Sequence, residues 1–502
     1  MTLTASPPPA TGPAPLVAPG GVTIHDWRPD DDEFWENGGR QVARRNLVWS
    51  IFAEHLGFSV WLFWSISAAM LAKVGFDFSP AQLFLLVAVP NAVGSFLRLP
   101  YTFAVPRFGG RNWTVISALL LLVPTLLYAW AVQNPTTPYW VFVLIAATAG
   151  VGGGNFASSM ANINHFYPTK KKGLALGLNA AGGNIGVAVL QLGLPIVVGG
   201  AGLFGLVAAS SGGLRLQNAG YLYAALALVA AAAAYFWMNN IAGAKSSARD
   251  TASVLRHKHT WVMSFLYIGT FGSFIGYSAA MPLLIKLNFS VTDPTTGALT
   301  GINFAYFAFL GALVGSITRP FGGWLADRYG GARVTLWTFG AMILGTLGII
   351  GSLKLLTPNP DQLPAIATEN EAVFPWFLAA FLFVFAATGI GNGSTFKMIP
   401  AIWRAAVERE TTPNTPERER GLARATVESS AVIGLVSAVG AFGGFGIPMT
   451  FGAPWIDNPV DAVQTAFWTF TAFYAACAAV TWFVYTRQRF AARVPSLAHA
   501  QV

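Results

Sequence analysis

The chain has 502 residues, of which 54% are hydrophobic and only 10% charged, too apolar a balance for an ordinary soluble globular protein. Its formal net charge of +9 could suggest nucleic acid, but the cations are spread over short connections between apolar runs, which argues against that partner. The single cysteine, Cys477, lies in an apolar run; this excludes an internal disulfide and a paired-cysteine metal or redox site, and a small buried hydrophobe is its simplest reading.

Residues 1–45 read as a disordered, amphiphilic N-terminal tail. The first 23 are rich in Pro, Gly and Ala, with neither a basic start nor a continuous apolar core, unlike a cleaved signal peptide. Asp30 to Asp32 with Glu33 and Glu36 form a short acidic, solvated segment. Twelve apolar spans follow, at 46–72, 82–105, 112–132, 138–165, 172–198, 218–240, 261–285, 301–326, 333–353, 374–396, 424–447 and 464–486. Each is long enough to cross a bilayer as a helix of about 20 residues; barrel strands would instead alternate over about ten residues. The predicted fold is therefore an all-α membrane protein with twelve transmembrane helices in two six-helix halves, 46–240 and 261–486. A linker at 241–260 joins them, and a tail at 487–502 closes the chain. Of the 30 basic residues the odd-numbered loops hold only Lys73, Arg215, Lys286 and Lys354, and nearly all the others flank the termini and even-numbered loops. That asymmetry predicts cytoplasmic termini, linker and tails.

In span 1, Glu54 is the one acid deep in any span, roughly 12 Å from the cytoplasmic end at about 1.5 Å per residue. A buried carboxylate beside a cavity can take up and release a proton; a hydrogen bond or salt bridge to another helix explains it equally well. His55 points about 100° away around the helix, so the two need not share a site.

Arg98 in span 2 and Arg319 in span 8 are the two Lys or Arg residues set inside the spans, away from the first residue of any. A permanent cation in the hydrocarbon costs a few kcal/mol at least and is a functional-site hypothesis by default. Their contexts match: Pro106-Arg107-Phe108-Gly109-Gly110 follows Arg98 at the spacing at which Asp327-Arg328-Tyr329-Gly330-Gly331 follows Arg319. Gly150-Val-Gly-Gly-Gly154 likewise parallels Gly389-Ile-Gly-Asn-Gly393, and Ala181-Gly182-Gly183 parallels Phe442-Gly443-Gly444. Two related halves fit a secondary transporter working by alternating access, with its site near the midplane between them. No GxxxxGK[ST] loop or nucleotide-binding segment supports an ATP-driven pump. Nor does any metal-spaced cluster or nucleophile–base pair stand inside the spans, so neither enzymatic activity nor a metal or cofactor is expected. Two equivalent arginines suit a small planar anion, because guanidinium is flat, always charged and presents a donor fork. The alternative is that each arginine pairs with a helix-end carbonyl or acid and locks the bundle.

The stretch from Gly322 to Arg333 resembles the loop motif of the major facilitator superfamily, in which Asp327 and Arg328 would lock neighbouring helix ends; Pro106 stands where the first half would carry its acid. Asn155-Phe-Ala-Ser-Ser-Met-Ala-Asn-Ile-Asn164 and the run from Gly173 to Gly186 resemble the nitrate-signature region of the nitrate/nitrite porter (NarK-type) family. Gly434-Leu-Val-Ser437-Ala-Val-Gly440-Ala-Phe-Gly443-Gly444 looks like its second copy. Leu97 to Tyr101 and Tyr267 to Gly276 also match family stretches, and the likeness covers nearly the whole chain after residue 40.

The resemblance implies a multi-pass transporter of nitrate, nitrite or both in a bacterial cytoplasmic membrane, either a nitrate/proton symporter or a nitrate/nitrite antiporter. Its partners would be these anions, protons in the symport case, and the lipid bilayer, with a monomer as the functional unit. Arg98 and Arg319 would clamp the anion. Phe156, Tyr267 and Phe271 would line the site, Asn184 and Ser437 could donate hydrogen bonds, and Gly434 and Phe58 complete the candidate set, Phe58 on a looser local match. Gly173, Gly177, Gly182, Gly183, Gly186, Gly440, Gly443 and Gly444 read as close helix packing that permits sliding, and Asn179 reads as structural. Glu54 is the candidate for proton coupling. An exchanger of phosphate or organophosphate is the alternative transporter, and would call for further Lys or His in the cavity. A nitrate receptor without transport is the other alternative, and would call for a large soluble domain.

Overall fold

The computed structural model describes residues 22–199, 213–242, 254–292, 299–359, 362–453, 459–487 and 497. Among them twelve helical segments are long and apolar enough to cross a membrane: α1 (Asp32–Val74), α2 (Pro80–Thr102), α3 (Gly110–Ala131), α4 (Tyr139–Phe166), α5 (Thr169–Val197), α6 (Gln217–Trp237), α7 (Lys258–Phe289), α8 (Phe304–Tyr329), α9 (Gly331–Leu353), α10 (Phe374–Glu410), α11 (Pro416–Phe451) and α12 (Val460–Thr486). A helix pairs its own backbone polar groups, as a hydrocarbon surrounding requires. Start signals are local. Ser79 and Gln82 exchange hydrogen bonds in a capping box, with Pro80 at the first position of α2. The Thr415 hydroxyl accepts from the Arg418 N–H ahead of Pro416 in α11.

Within the first six helices α1 packs on α4, α5 and α6, and α2 on α4; within the last six α8 and α9 pack on α10, α9 on α12 and α7 on α11. The two sets meet along α2–α11, α5–α8 and α1–α7. The α7–α11 approach is backbone to backbone: a Cβ on Gly272 would stand 2.6 Å from the Gly440 carbonyl oxygen, and one on Gly443 would stand 2.5 Å from the Gly272 Cα. Only glycine permits that separation. α7 also contains one π turn, Ile268–Gly272, an irregularity that helices often carry at functional sites.

The N-terminal expectation needs correction. From Val22 on the chain is folded. β1 (Thr23–Ile24) pairs in parallel with β2 (Asn240–Ile241), and Trp27 Nε1 donates to the His165 carbonyl over 3.0 Å. Asp30 accepts from the Thr169 N–H at 2.7 Å, and Trp35 packs on Tyr167. Ile24, Trp35, Ala43 and Leu47 share a buried cluster with Ile163, Phe166 and Ala175. The acids of the run are solvated as expected, Asp30, Asp32, Glu33 and Glu36 being exposed, while Phe34 and Trp35 between them are buried and hold the segment down. Helix geometry reaches back through Arg40, after a turn at Gly38 whose φ of 128° favours glycine. The tail expected over 1–21, the linker residues 243–253 and the C-terminal tail after Arg487, apart from Leu497, lie outside the described residues.

Candidate functional site

Arg98, 0% exposed, is carried by α2 into the middle of the bundle. Its Nε donates to the Gly153 carbonyl of α4 at 3.0 Å and one Nη to the Ser437 carbonyl of α11 at 2.9 Å, so a single guanidinium joins the first six helices to the last six. Its other Nη has no protein partner. Three rings surround it, with centroids 5.1 Å (Trp61), 4.7 Å (Phe156) and 5.0 Å (Phe271) from its Cζ. Gly94 and Gly153 make room for the Trp61 indole, which a Cβ at either would strike, and Trp61 Nε1 is anchored on the Pro90 carbonyl at 2.9 Å.

Arg319 of α8 is 5% exposed. Its Cζ lies 5.9 Å from the centroid of Phe156 and 5.6 Å from that of Phe396, and one Nη again lacks a partner. Neither arginine forms an ion pair among the described residues; aromatic faces, and for Arg98 two carbonyls, offset the buried charge. The rings form a slab: Tyr267 stacks on Phe271 (5.2 Å, 17°), Phe271 on Phe156 (6.2 Å, 26°), and Phe58 meets Phe156 edge-on at 6.2 Å. The Tyr267 hydroxyl has no well-aligned hydrogen-bond partner; it lies beside the Arg319 guanidinium, close enough for a weak, poorly aligned contact, and feels the charge of both arginines. A buried donor left unsatisfied costs about 1–3 kcal/mol. Three such groups, from Arg98, Arg319 and Tyr267, surround one ring stack and call for an explanation.

The other candidates divide. Asn184 is fully buried with both amide atoms unpartnered. The Ser437 hydroxyl bonds back to the Gly434 carbonyl at 2.8 Å, a common habit of serine in helices, while its own carbonyl accepts from Arg98. Gly434 faces Thr102, whose hydroxyl a Cβ would meet at 3.2 Å, so it marks the α2–α11 approach and not the ring stack.

Glu54 of α1 is buried. One carboxylate oxygen accepts from the Ser159 hydroxyl and the Asn179 amide; the other has no partner and sits where a Cβ on Gly183 would come within 2.6 Å. Glu54 feels the charges of both arginines. His55 turns instead to the Gly182 carbonyl at 3.2 Å.

Of the remaining glycines, Gly182 faces Ile51, Gly186 the His55 carbonyl, Gly440 the Tyr267 ring, Gly443 the Gly272 backbone, and Gly444 Ile275 and Asn91. Gly173 and Gly177 depart from the packing expectation: both are exposed, with nothing within 4 Å of a Cβ, because no neighbour covers that side of α5 in this conformation. Asp327 pairs with Lys397 at 2.8 Å, tying α8 to α10 within the second half, while Arg328 lies over Trp324 and Tyr329 at 5.8 and 5.6 Å. Sequence reasoning passed over Trp61, Ser159, Phe396 and Asn392. Ser159 and Asn392 stand inside segments whose repeats and polar pattern had already singled them out; the two aromatics carried no signal above the many others.

The model of the family described as Major Facilitator Superfamily matches residues 55–359. The chain is 40% identical over 474 residues to the nitrate/nitrite transporter NarU of Escherichia coli (strain K12), covering 93% of this chain and 97% of that one. It is 36% identical over 482 residues to the probable nitrate/nitrite antiporter NarK2 of Thermus thermophilus, covering 93% and 97%. Among solved structures, a D-xylose-proton symporter superposes with a TM-score of 0.58 at 14% identity, covering 87% of this chain and 96% of that one, a likeness of fold alone. With the repeated halves, the paired arginines and relatives matched along almost their whole length, the chain belongs to the nitrate/nitrite porter family of the major facilitator superfamily.

Proposed function

We propose that this protein is a secondary active transporter of nitrate, nitrite or both, embedded in the bacterial cytoplasmic membrane with both termini inside. Its halves, 46–240 and 261–486, alternate access around a site clamped by Arg98 and Arg319. The observation that carries this reading is the pair of buried guanidinium groups beside one ring, each with an unpartnered N–H and neither in an ion pair. Such a site is short of one negative charge and offers a flat aromatic surface. A planar, weakly hydrated monoanion supplies both needs, with oxygens spaced for guanidinium donors. The names borne by the relatives in Escherichia coli and Thermus thermophilus point to the same anions.

Alternation follows from the same charges. Two like charges in one closed cavity repel, so halves that close on an empty site meet resistance that a bound monoanion relieves. Reorientation is then easy when loaded and slow when empty, which is the behaviour of an exchanger. Glu54 adds a route to symport: it lies within electrostatic reach of both arginines, so an anion that offsets their charge and a proton on Glu54 favour one another. The glycine contacts of α1 with α5 and of α7 with α11 let these helices slide as the halves rock. A monomer contains the whole site.

The test is nitrate uptake into proteoliposomes, driven separately by internal nitrite and by an imposed pH gradient. Uptake with either gradient, abolished in Arg98→Ala, is the expected result; no uptake and no counterflow with correctly inserted protein would overturn the reading.

A further inference from the structure

Among the described residues two side-chain amides, Asn184 and Asn392, are buried with neither the nitrogen nor the oxygen partnered. They come from different halves, on α5 and α10. An unpartnered buried polar group is costly in a dry surrounding, and a residue that leaves two such atoms calls for an explanation that packing does not give. Leucine has nearly the same shape and would fill the space without that cost.

The face of α10 on which Asn392 lies can be read from its neighbours. Successive residues turn by about 100° around a helix. Gly389 and Gly393 abut α8, where a Cβ would strike Thr318 and the Arg319 carbonyl respectively. Gly391 lies where α9 and α7 both approach, a Cβ there meeting Thr338 at 2.6 Å and Thr270 at 2.7 Å, and Thr395 faces α7, its hydroxyl 3.2 Å from that of Thr270. Asn392 falls between these two faces, toward the seam of the helix that carries Tyr267 and Phe271 with the helix that carries Arg319. One turn further along the same face is Phe396, whose centroid is 5.6 Å from the Arg319 Cζ. Asn392 is 1% exposed, so the amide faces this interior and not lipid.

We infer that Asn392 donates an amide hydrogen bond to the transported anion, at the oxygen that nitrate has and nitrite lacks. This rests on the transport reading above. The unpartnered Nη groups of Arg98 and Arg319 supply charged donors for two oxygens, which is all that nitrite presents. Nitrate brings a third, and a neutral amide serves it without adding charge. A site that bonds a group discriminates against the analogue lacking it, because its own polar atoms are then left bare.

The test measures equilibrium binding of nitrate and of nitrite to the purified full-length protein in detergent, for the natural protein, Arg98→Ala, Asn392→Ala and the near-isosteric Asn392→Leu. The expected result is that both Asn392 variants bind nitrate about tenfold more weakly, the effect of losing one hydrogen bond to a charged group, while nitrite affinity changes less than twofold. Unchanged nitrate affinity, or an equal loss for both anions, overturns the inference. So does failure of both variants to fold, which would make the amide structural. If the natural protein itself binds neither anion, the transport reading falls and this one with it; if it binds both and Arg98→Ala abolishes that binding, only the Asn392 variants bear on the inference.

Discussion

Arg98 and Arg319, drawn from α2 and α8, stand 4.7 and 5.9 Å from the centroid of the same ring, Phe156. Their surroundings differ in a way that repeat symmetry does not foretell. Arg98 spends two of its donors on carbonyls of opposite halves, Gly153 and Ser437, whereas Arg319 makes no such bridge among the described residues and rests between the rings of Phe156 and Phe396. Arg98 is thus both a candidate ligand and a tie between the halves.

Replacement by lysine should separate these two roles. Arg98→Lys and Arg319→Lys are each expected to cut nitrate uptake at least tenfold, since an ammonium keeps the charge but lacks the planar fork. Arg98→Lys alone should also lower the melting temperature in detergent, because it leaves a buried carbonyl without its donor. Near-normal uptake by both folded variants would remove the arginine clamp.

Glycine substitutions test the helix contacts. A Cβ at Gly443 meets the Gly272 backbone, Cα at 2.5 Å and C at 2.7 Å, and backbone cannot swing aside as a side chain can. Gly443→Ala is therefore expected to destabilise by about 1–3 kcal/mol, the usual scale of overpacking. Gly177 meets nothing within 4 Å, so Gly177→Ala should leave the melting temperature unchanged or raise it, alanine being the better helix former by up to about 1 kcal/mol. If the packing role of Gly177 belongs to another conformation of the cycle, Gly177→Leu will slow turnover at unchanged stability. Equal thermal penalties at Gly443 and Gly177 would contradict the contact geometry.

The spans, their number and the two arginines were legible because each rests on a strong local rule: apolar length, or a permanent charge where none is cheap. What was not legible depended on which surfaces meet. Ser437 lay on the right face, yet it is its carbonyl that meets Arg98, a contact fixed by the reach of Arg98 from another helix. Gly173 and Gly177 share the motif of Gly182 and Gly186, but only the latter pair faces a neighbour. The segment from Val22 to Gly39 read as part of a disordered tail, although Trp27 and Trp35 find partners more than a hundred residues away in sequence. Composition could not show that docking surface.

That segment makes its own measurable contribution. The Asp30 carboxylate accepts from the Thr169 N–H at 2.7 Å, capping the first turn of α5 from a distant part of the chain, where the Pro168–Thr169 sequence offers no side-chain cap of its own. Asp30→Ala is expected to cost about 1 kcal/mol, as loss of an N-cap usually does, and Asp30→Asn much less. A melting temperature unchanged in Asp30→Ala would mean that the contact contributes nothing in solution.

A substitution at Glu54 tests the two coupling modes against each other. Its two donors, Ser159 and Asn179, address the same carboxylate oxygen, and a glutamine keeps one oxygen to accept from both, so Glu54→Gln should fold normally. The other oxygen is unpartnered and is where a proton would be carried. In a symporter the loaded carrier moves inward with both anion and proton, and the proton must leave before the empty carrier returns. Glu54→Gln is neutral at every pH and has no proton to release. Nitrate accumulation by the natural protein is expected to rise as the external pH is lowered below the internal pH; in Glu54→Gln that dependence should vanish, while nitrate/nitrite counterflow, which needs no proton release, persists. Accumulation under a pH gradient that is the same in both proteins would take Glu54 out of the cycle and leave plain anion exchange, made obligatory by the repulsion between Arg98 and Arg319 that hinders return of the empty site.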